Sequence, residues 1–417
     1  MSTQSSSQSR HPWLTDLAAQ LIFPCLVIGT TLIQQRETWT QGVGQVLLWI
    51  SMLAALELVY SHPRLALMGL TALAIIVFSR ALRLVTAGPI IDSTYTAGLA
   101  LLYGPAGAVV VWTRQKMLNR QFAVLLFLSA PLMVVQLTGG PDWDWVHMWR
   151  TDTHNPTGDE LFVPILGQTN PRSGWGTFQL RPAGIMFANN FLSIVVLFGM
   201  ALHLARMEGR RLAHSDRFLA AVLTLAMAKL LFLAYLVFLS GYLIFGSADR
   251  RWRMLKLTGL LTLFMSLYWW SFPGAFVYNL SPTSILLNFT IRWADLLGSL
   301  TGGGVISVVA ENLNGVSTYT ILTGAESGYA KIGRRLPWLA AMALVMLPVY
   351  VGRLRTIWRH DPQLGRIVIN IAVAACLAPL ITWFLSGPFF LCAAGAAFLP
   401  LAALHVRNEG LAKVGDT

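Results

Sequence analysis

Four basic residues stand inside uncharged stretches or at their ends, and this arrangement is suited to holding an anion. Arg181 precedes a long apolar stretch, and Lys229 interrupts the otherwise uncharged segment 218–245. Arg80 and Arg83 are three residues apart, so they share one face of a helix. A guanidinium grips two phosphate oxygens through its planar fork. The pattern predicts a site for an anion such as a lipid diphosphate, with phospholipid headgroups as the alternative ligand.

Glu326 is the candidate acid–base residue. It is the only acid in a neutral stretch that precedes a late apolar segment, and Tyr329 follows it by about one helical turn. A carboxylate near the membrane is suited to act as a general base for a hydroxyl group. The alternative interpretation is an ion pair with Lys331, Arg334 or Arg335 at the start of the next helix.

A tryptophan-rich segment, 139–183, forms the most polar part of the chain. Aromatic faces beside hydrogen-bonding side chains suit sugars, and Trp145 and Trp149 are the predicted contacts. The alternative is a belt of interfacial tryptophans, which membrane proteins commonly have. The acids and histidines of the segment match no known metal-ligand spacing, so we predict neither a metal nor a cofactor.

These residues must be positioned by membrane helices. The 417 residues are 55% hydrophobic and only 12% charged, about half the charged fraction of a soluble domain. The apolar stretches are continuous and rich in Leu, Ala and Val, which favours helices over a β-barrel. Cys25, Cys376 and Cys392 lie inside these stretches and predict no disulfide framework. We therefore expect an all-α polytopic membrane protein with one transmembrane domain, residues 1–417.

The apolar stretches predict about twelve transmembrane helices, each of roughly 20 residues. Basic clusters occupy alternate connections and both tails, which predicts that those connections and both termini are cytoplasmic. Because the net charge of +12 is distributed in this way, it does not indicate nucleic-acid binding. The predicted helices are 14–33, 41–60, 65–84, 95–112, 121–138, 184–206, 217–228, 230–247, 257–275, 336–352, 368–385 and 388–405.

Two connections on the opposite face are far longer than ordinary helix connections, which predicts a functional role. They are the large periplasmic loops 139–183 and 273–335. Within the second loop, residues 283–300 alternate polar and apolar positions at helical spacing, which predicts an amphipathic helix on the membrane surface. No internal repeat of the kind found in many transporters is visible in the sequence.

Two short motifs beside these loops resemble those of a known family. Arg181, Gly184 and Asn190 resemble an Arg-x-x-Gly-x-x-x-x-x-Asn motif that opens a helix after the first large loop. Ala228 and Lys229 stand where the family has a Ser-Arg pair at a tight outer turn, which keeps the charge and loses the hydroxyl group. The family is the bacterial O-antigen polymerase and O-antigen ligase superfamily of integral membrane glycosyltransferases.

A third motif favours the polymerase branch of that superfamily. Residues 326–329, Glu-Ser-Gly-Tyr, resemble the polymerase version of a motif that precedes a late helix. Ligases tend to carry histidine at the place of Glu326. The resemblance thus implies a Wzy-like polysaccharide polymerase of the bacterial inner (cytoplasmic) membrane, a glycosyltransferase acting on exopolysaccharide, capsule or O-antigen repeat units.

The resemblance also implies a mechanism, which is a metal-independent, inverting glycosyl transfer between undecaprenyl-diphosphate-linked oligosaccharides. The implied partners are membrane lipids, a flippase and a chain-length regulator. Arg181 and Lys229 would hold the diphosphate and Glu326 would act on the acceptor proton. The implied substrate-binding residues are Arg80, Arg83, Asn190, Tyr329, Trp145 and Trp149. The alternatives are a ligase-like transferase, a lipid-linked-oligosaccharide flippase and a non-enzymatic scaffold.

Overall fold

The computed structural model describes residues 12–33, 38–86, 89–138, 182–186, 189–271, 308–311, 318–321, 337–381 and 387–398. Within these ranges the chain forms helices joined by short turns, plus one antiparallel ribbon of two strands. The helices are α1 (Pro12–Ile33), α2 (Thr38–Tyr60), α3 (Pro63–Val85), α4 (Pro89–Thr113), α5 (Gln115–Thr138), α6 (Asn189–Arg206), α7 (His214–Ala226), α8 (Lys229–Phe245), α9 (Ala248–Ser271), α10 (Pro337–His360), α11 (Pro362–Ile381) and α12 (Pro388–Phe398). The ribbon pairs β1 (Val308–Glu311) with β2 (Thr318–Ile321) inside the predicted second loop.

Six of the described helices are long and apolar enough to cross a membrane, judged by length and composition. Large apolar side chains such as Trp49, Leu67 and Phe127 lie exposed on the outside of the bundle. Such a surface is unfavourable in water and favourable against lipid. The chain is therefore a helical, membrane-embedded protein. The six helices cover Pro12–Ile33, Thr38–Tyr60, Leu65–Val85, Thr94–Thr113, Gln115–Val135 and Pro362–Pro379.

Arginine-rich helix ends gather at one end of the bundle, which we call the inner end. Arg114, between α4 and α5, forms an ion pair with Asp16 in the first turns of α1. Arg206 ends α6. Gly184, before α6, lies against Ser129, whereas Gly199 within α6 lies against Phe122, so the order is reversed and α6 is antiparallel to α5. The opposite end of the bundle, where α5 ends and α6 begins, is the outer end.

The basic clusters lie in helices more often than in the predicted connections. Arg250 to Lys256 fall in the first turns of α9, and Arg353 to Arg359 fall in the last turns of α10. Only Asp361 separates α10 from α11. Long arginine and lysine side chains can reach water while their backbone stays helical near a helix end. Hydropathy excludes these charged residues from the helix and so misplaces its boundary.

Small residues bring two pairs of helices into backbone contact. A Cβ atom on Gly44 of α2 would lie 2.9 Å from the carbonyl oxygen of Gly29 in α1. A Cβ atom on Gly107 of α4 would overlap the backbone of Cys392 in α12, and one on Gly395 would overlap Gly104. Small residues are the usual means of close helix packing in membranes, where hydrophobic burial gives little driving force.

These contacts fix the direction of α12. Gly107 pairs with Cys392 and Gly104 pairs with Gly395, so the order is reversed and α12 is antiparallel to α4. Because α4 runs from the outer end to the inner end, α12 runs outward. The prediction that a span 388–405 carries the chain inward is therefore wrong for the described part, since hydropathy gives no direction. Residues 399–417, and with them the predicted cytoplasmic C-terminus, lie outside the described residues.

Phe389, at the start of α12, lies inside the bundle. Its ring packs against Phe23 of α1, Phe122 of α5, and Phe191 and Phe198 of α6, with centroid separations of 5.6 to 6.4 Å. These are favourable distances for edge-to-face aromatic contacts. The helix α12 is thus a central element that joins α1, α4, α5 and α6.

Candidate functional site

The segment Pro182–Met186 is non-helical and packs inside the outer half of the bundle. Four of its five residues are buried, and Ile185 is half-buried. Gly184 lies against Ser129 of α5, nine residues or about 14 Å before the end of that helix at Thr138. Non-helical backbone at membrane depth is tolerated where protein buries it or where it lines a cavity.

Gly184 is required at the centre of this segment. Its φ is +60°, in the left-handed region, where a Cβ atom is strained. A Cβ atom there would also lie 2.6 Å from the Cβ of Ser129. On the other side, the Thr31 hydroxyl group of α1 is 4.0 Å from the sulfur of Met186. The segment is therefore held between α1 and α5.

The same segment corrects the predicted helix start. The sequence predicted a helix over 184–206, but α6 begins at Asn189, because the left-handed conformation at Gly184 interrupts a helix. Asn190, the last residue of the first motif, is half-buried in the first turn of α6. The motif thus has a turn at its glycine and a helix start at its asparagine.

A second break lies between α7 and α8. Met227 has φ +46°, the only positive φ of a non-glycine residue in the described ranges, and its side chain is buried. Ala228 caps α8, and its carbonyl oxygen accepts bonds from the N–H groups of Leu231 and Phe232. Lys229 is the first residue of α8. The 13 residues of α7 rise about 20 Å, which is less than the hydrocarbon thickness of about 30 Å.

The two predicted cations of α3 lie at the periphery. Arg80 donates a hydrogen bond of 3.0 Å to the Tyr95 hydroxyl group of α4, and its guanidinium carbon stands 4.5 Å from the centre of that ring. Both Arg80 and Arg83 are exposed on the outside of the bundle. Since α3 packs mainly against α2 and α4 while Pro182–Met186 packs against α1 and α5, these cations and the buried segment belong to different helix pairs.

Several predicted residues lie outside the described part of the chain. They include most of both large loops, the predicted surface helix 283–300 and the predicted span ends after 381 and 398. Their roles stay predictions. The predicted site residues in this group are Arg181, Glu326, Tyr329, Trp145 and Trp149.

A polar network at the inner end was not predicted from the sequence. Asp216, in the first turn of α7, is fully buried. One carboxylate oxygen is 2.7 Å from Nε2 of His203 in α6, and the other accepts a bond of 2.6 Å from Nε of Arg253 in α9. The N–H of Ala213 adds a bond of 2.8 Å to the second oxygen. The carboxylate thereby ties α6, α7 and α9 together.

These bonds keep the carboxylate ionised. Burial alone would raise the pKa of Asp216, but hydrogen bonds from His203, Arg253 and the backbone of Ala213 outweigh that effect and lower the pKa to about 2. Arg253 is only 10% exposed and also donates to the carbonyl oxygen of Glu208. The network is therefore a structural tie. One signal in the sequence could have revealed it, because Asp216 follows Arg210, Arg211 and His214 and directly precedes another arginine.

The two ends of the bundle thus differ in chemistry. The inner end holds a satisfied polar network, whereas the outer half holds two buried breaks next in sequence to Arg181 and Lys229.

Among the described residues, no group of three or more His, Cys, Asp or Glu side chains is arranged to hold a metal ion. Searches of protein-family models, curated proteins and solved structures return no match to this chain.

Proposed function

We propose that this protein is a membrane glycosyltransferase that joins undecaprenyl-diphosphate-linked oligosaccharides into a longer glycan. The observation that carries the proposal is the pair of buried, non-helical segments in the bundle, Pro182–Met186 and Met227–Ala228. Membrane proteins use such breaks where a polar substrate must meet backbone and side-chain groups at membrane depth. Each break directly adjoins a basic residue, as a site for a lipid diphosphate requires.

Arg181 is the first diphosphate ligand in this proposal. It directly precedes Pro182 in the sequence, and Pro182 is buried. A guanidinium can bind two phosphate oxygens at once and stays charged at any physiological pH. Positive charge held near the leaving diphosphate stabilises the negative charge that develops as the glycosidic bond breaks.

Lys229 is the second diphosphate ligand. As the first residue of α8, it stands where the free N–H groups of a helix start favour an anion. An ionisable residue inside the otherwise uncharged segment 218–245 is costly unless it serves a function. Arg80 and Arg83 are left out of the proposed diphosphate site, because Arg80 contacts Tyr95 on the outside of α3 and α4.

The transfer step needs a base and a glycan-binding surface. The acceptor hydroxyl oxygen attacks the anomeric carbon, the bond from that carbon to the diphosphate oxygen breaks, and the acceptor proton passes to the carboxylate of Glu326. Undecaprenyl diphosphate leaves with the bonding electron pair. Asn190 and Tyr329 would orient the sugars, and Trp145 and Trp149 would stack on the growing glycan.

The proposed setting is the bacterial inner membrane. The arginine-rich inner end would face the cytoplasm and the two long loops would face the periplasm. We retain the prediction that α1 to α11 alternate in direction between the two faces of the membrane. For α12 we propose a helix that runs outward inside the bundle, in place of a twelfth crossing that runs inward.

The test is polymer formation by single variants in a polymer-forming strain. R181A, K229A and E326Q should each leave single repeat units on the outer leaflet, because charge stabilisation or proton removal is lost. R355A, on the exposed face of α10, is the matched cation control and should give full-length polymer.

The outcomes also separate the alternatives. Full-length polymer from R181A and E326Q, with both proteins present in the membrane, would remove the proposed site. Repeat units trapped on the cytoplasmic leaflet would indicate a flippase instead of a transferase. Normal polymer that is not attached to its final acceptor would indicate a ligase-like transferase.

A further inference from the structure

Two arginines from different helices meet at one carboxylate at the inner end. Nη2 of Arg250 in α9 is 3.6 Å from Oε1 of Glu208, and Nη2 of Arg366 in α11 is 3.7 Å from the same oxygen. The arginine side chains are only 15% and 16% exposed, whereas Glu208 is 68% exposed. Two largely buried cations thus share one acid that extends to the surface.

The hydrogen-bonding capacity of these arginines is mostly unused. Arg250 donates through Nε to the carbonyl oxygen of Met207 at 3.1 Å. Arg366 has no hydrogen bond to any residue that the structure describes, and its Nε atom is buried. Distances of 3.6 and 3.7 Å are ion-pair contacts and are too long for good hydrogen bonds. A largely buried guanidinium whose Nε–H group lacks an acceptor is unfavourable unless another group supplies an oxygen atom.

Neighbouring acids are committed elsewhere. Asp216 binds Arg253, and Asp249 binds Arg210 at 2.5 Å. Asp361 accepts bonds from the N–H groups that start α11, at positions 363 and 364. Glu208 is therefore the one carboxylate of the described residues that forms an ion pair with both Arg250 and Arg366. Asp361 acts on Arg366 electrostatically.

We propose that Arg250 and Arg366 form a binding site for a phosphate-bearing anion at the inner end of the bundle. The phosphate oxygens accept hydrogen bonds from both guanidinium groups and so link α9 to α11. Glu208 competes for the same donors and swings outward when the anion binds. A phosphate of this kind is carried by the headgroup of an anionic phospholipid of the inner leaflet, or by free phosphate in the cytoplasm.

Thermal unfolding of the full chain in detergent tests the site at constant ionic strength. The probes are phosphatidylglycerol, phosphatidylcholine of equal chain length, and inorganic phosphate. We expect phosphatidylglycerol to raise the unfolding temperature of the wild-type protein, and R250Q and R366Q to bind it about tenfold more weakly. R355Q removes an exposed arginine of α10 and should bind as the wild type does.

E208Q supplies a test with the opposite sign. Removing the competing carboxylate should tighten phosphatidylglycerol binding several-fold, a gain that a purely structural role for the arginines would not give. This variant alters an exposed side chain, so it decides the question even if R366Q fails to fold.

The probes identify the source of the phosphate. A shift with phosphatidylglycerol alone assigns a lipid headgroup, and a shift with millimolar inorganic phosphate assigns a soluble ligand. The proposal is overturned if neither probe stabilises the wild type, if R366Q and R355Q respond equally, or if E208Q weakens binding.

Discussion

Two features of the structure require glycine at position 184, and experiments can separate them. Its φ is positive and a Cβ atom would collide with Ser129. Gly209 has a φ of +78° with nothing near it. We expect G184A to lower the free energy of unfolding by about 2–4 kcal/mol, strain plus collision, and G209A by only about 1 kcal/mol. Equal losses in denaturation experiments would mean that the collision is relieved by a small shift.

Asp216 permits a similar comparison of a buried and an exposed ion pair. D216N leaves Arg253 buried without its anion, which should cost about 3–5 kcal/mol. D249N breaks the exposed pair with Arg210 and should cost at most about 1 kcal/mol. Thermal unfolding in detergent checks both variants. A small effect of D216N would show that His203 or water replaces the lost partner.

At the scale of single residues, the sequence shows which positions carry charge more clearly than it shows which of them are buried. The basic residue Lys229 and the motif glycine Gly184 stand out in the sequence, and both mark real breaks in the helical structure. The position of Asp216 among basic residues is visible in the sequence, but its burial is not, because that depends on His203 and Arg253 from other helices. Contacts between residues distant in sequence are the part that local pattern cannot supply.

At the scale of elements, the contact between α4 and α12 should be the least tolerant of substitution. G107A places a Cβ atom in the backbone of Cys392 and should cost about 1–3 kcal/mol through forced separation of the helices. G241A in α8 has open space and should change stability little or raise it slightly. Detergent unfolding of the two variants, with lipid-bilayer insertion as a second readout, distinguishes them.

Helix existence was predictable and helix limits were less so. Each predicted span overlaps a described helix, because apolar stretches of this length have few alternatives in a membrane. The starts of α6 and α9 moved by five and nine residues from 184 and 257, to Asn189 and Ala248. The positive φ of Gly184 delays the start of α6, and arginines with long side chains extend α9 at its start. A hydropathy sum contains neither effect.

At the scale of the whole molecule, the direction of the chain is testable by labelling. With the native cysteines replaced, a cysteine at Thr86 in the connection between α3 and α4 should react with an impermeant reagent from outside the cell. A cysteine at Gly209 should react only after the membrane is permeabilised, because it lies at the inner end beside Arg210. Labelling of both sites from outside would contradict the proposed orientation.

The last helix gives a second topological prediction. Alkaline phosphatase fused after Phe398 should be active and a fluorescent protein fused there should be dark, because α12 runs outward, antiparallel to α4. Regular alternation of twelve crossings predicts the reverse. The direction of α12 relative to α4 is the part of the topology that the sequence predicted wrongly, because counting apolar stretches assumes that each one completes a crossing.

The position of Phe389 has a consequence for biosynthesis. The rings that surround it belong to α1, α5 and α6, which leave the ribosome long before α12 does. Until α12 has been made, the centre of the nascent bundle lacks the Phe389 ring and α4 lacks its closest neighbour. The centre of the bundle therefore closes only after α12 has been synthesised, and messages that stop before codon 388 should yield proteins that membrane quality control removes quickly.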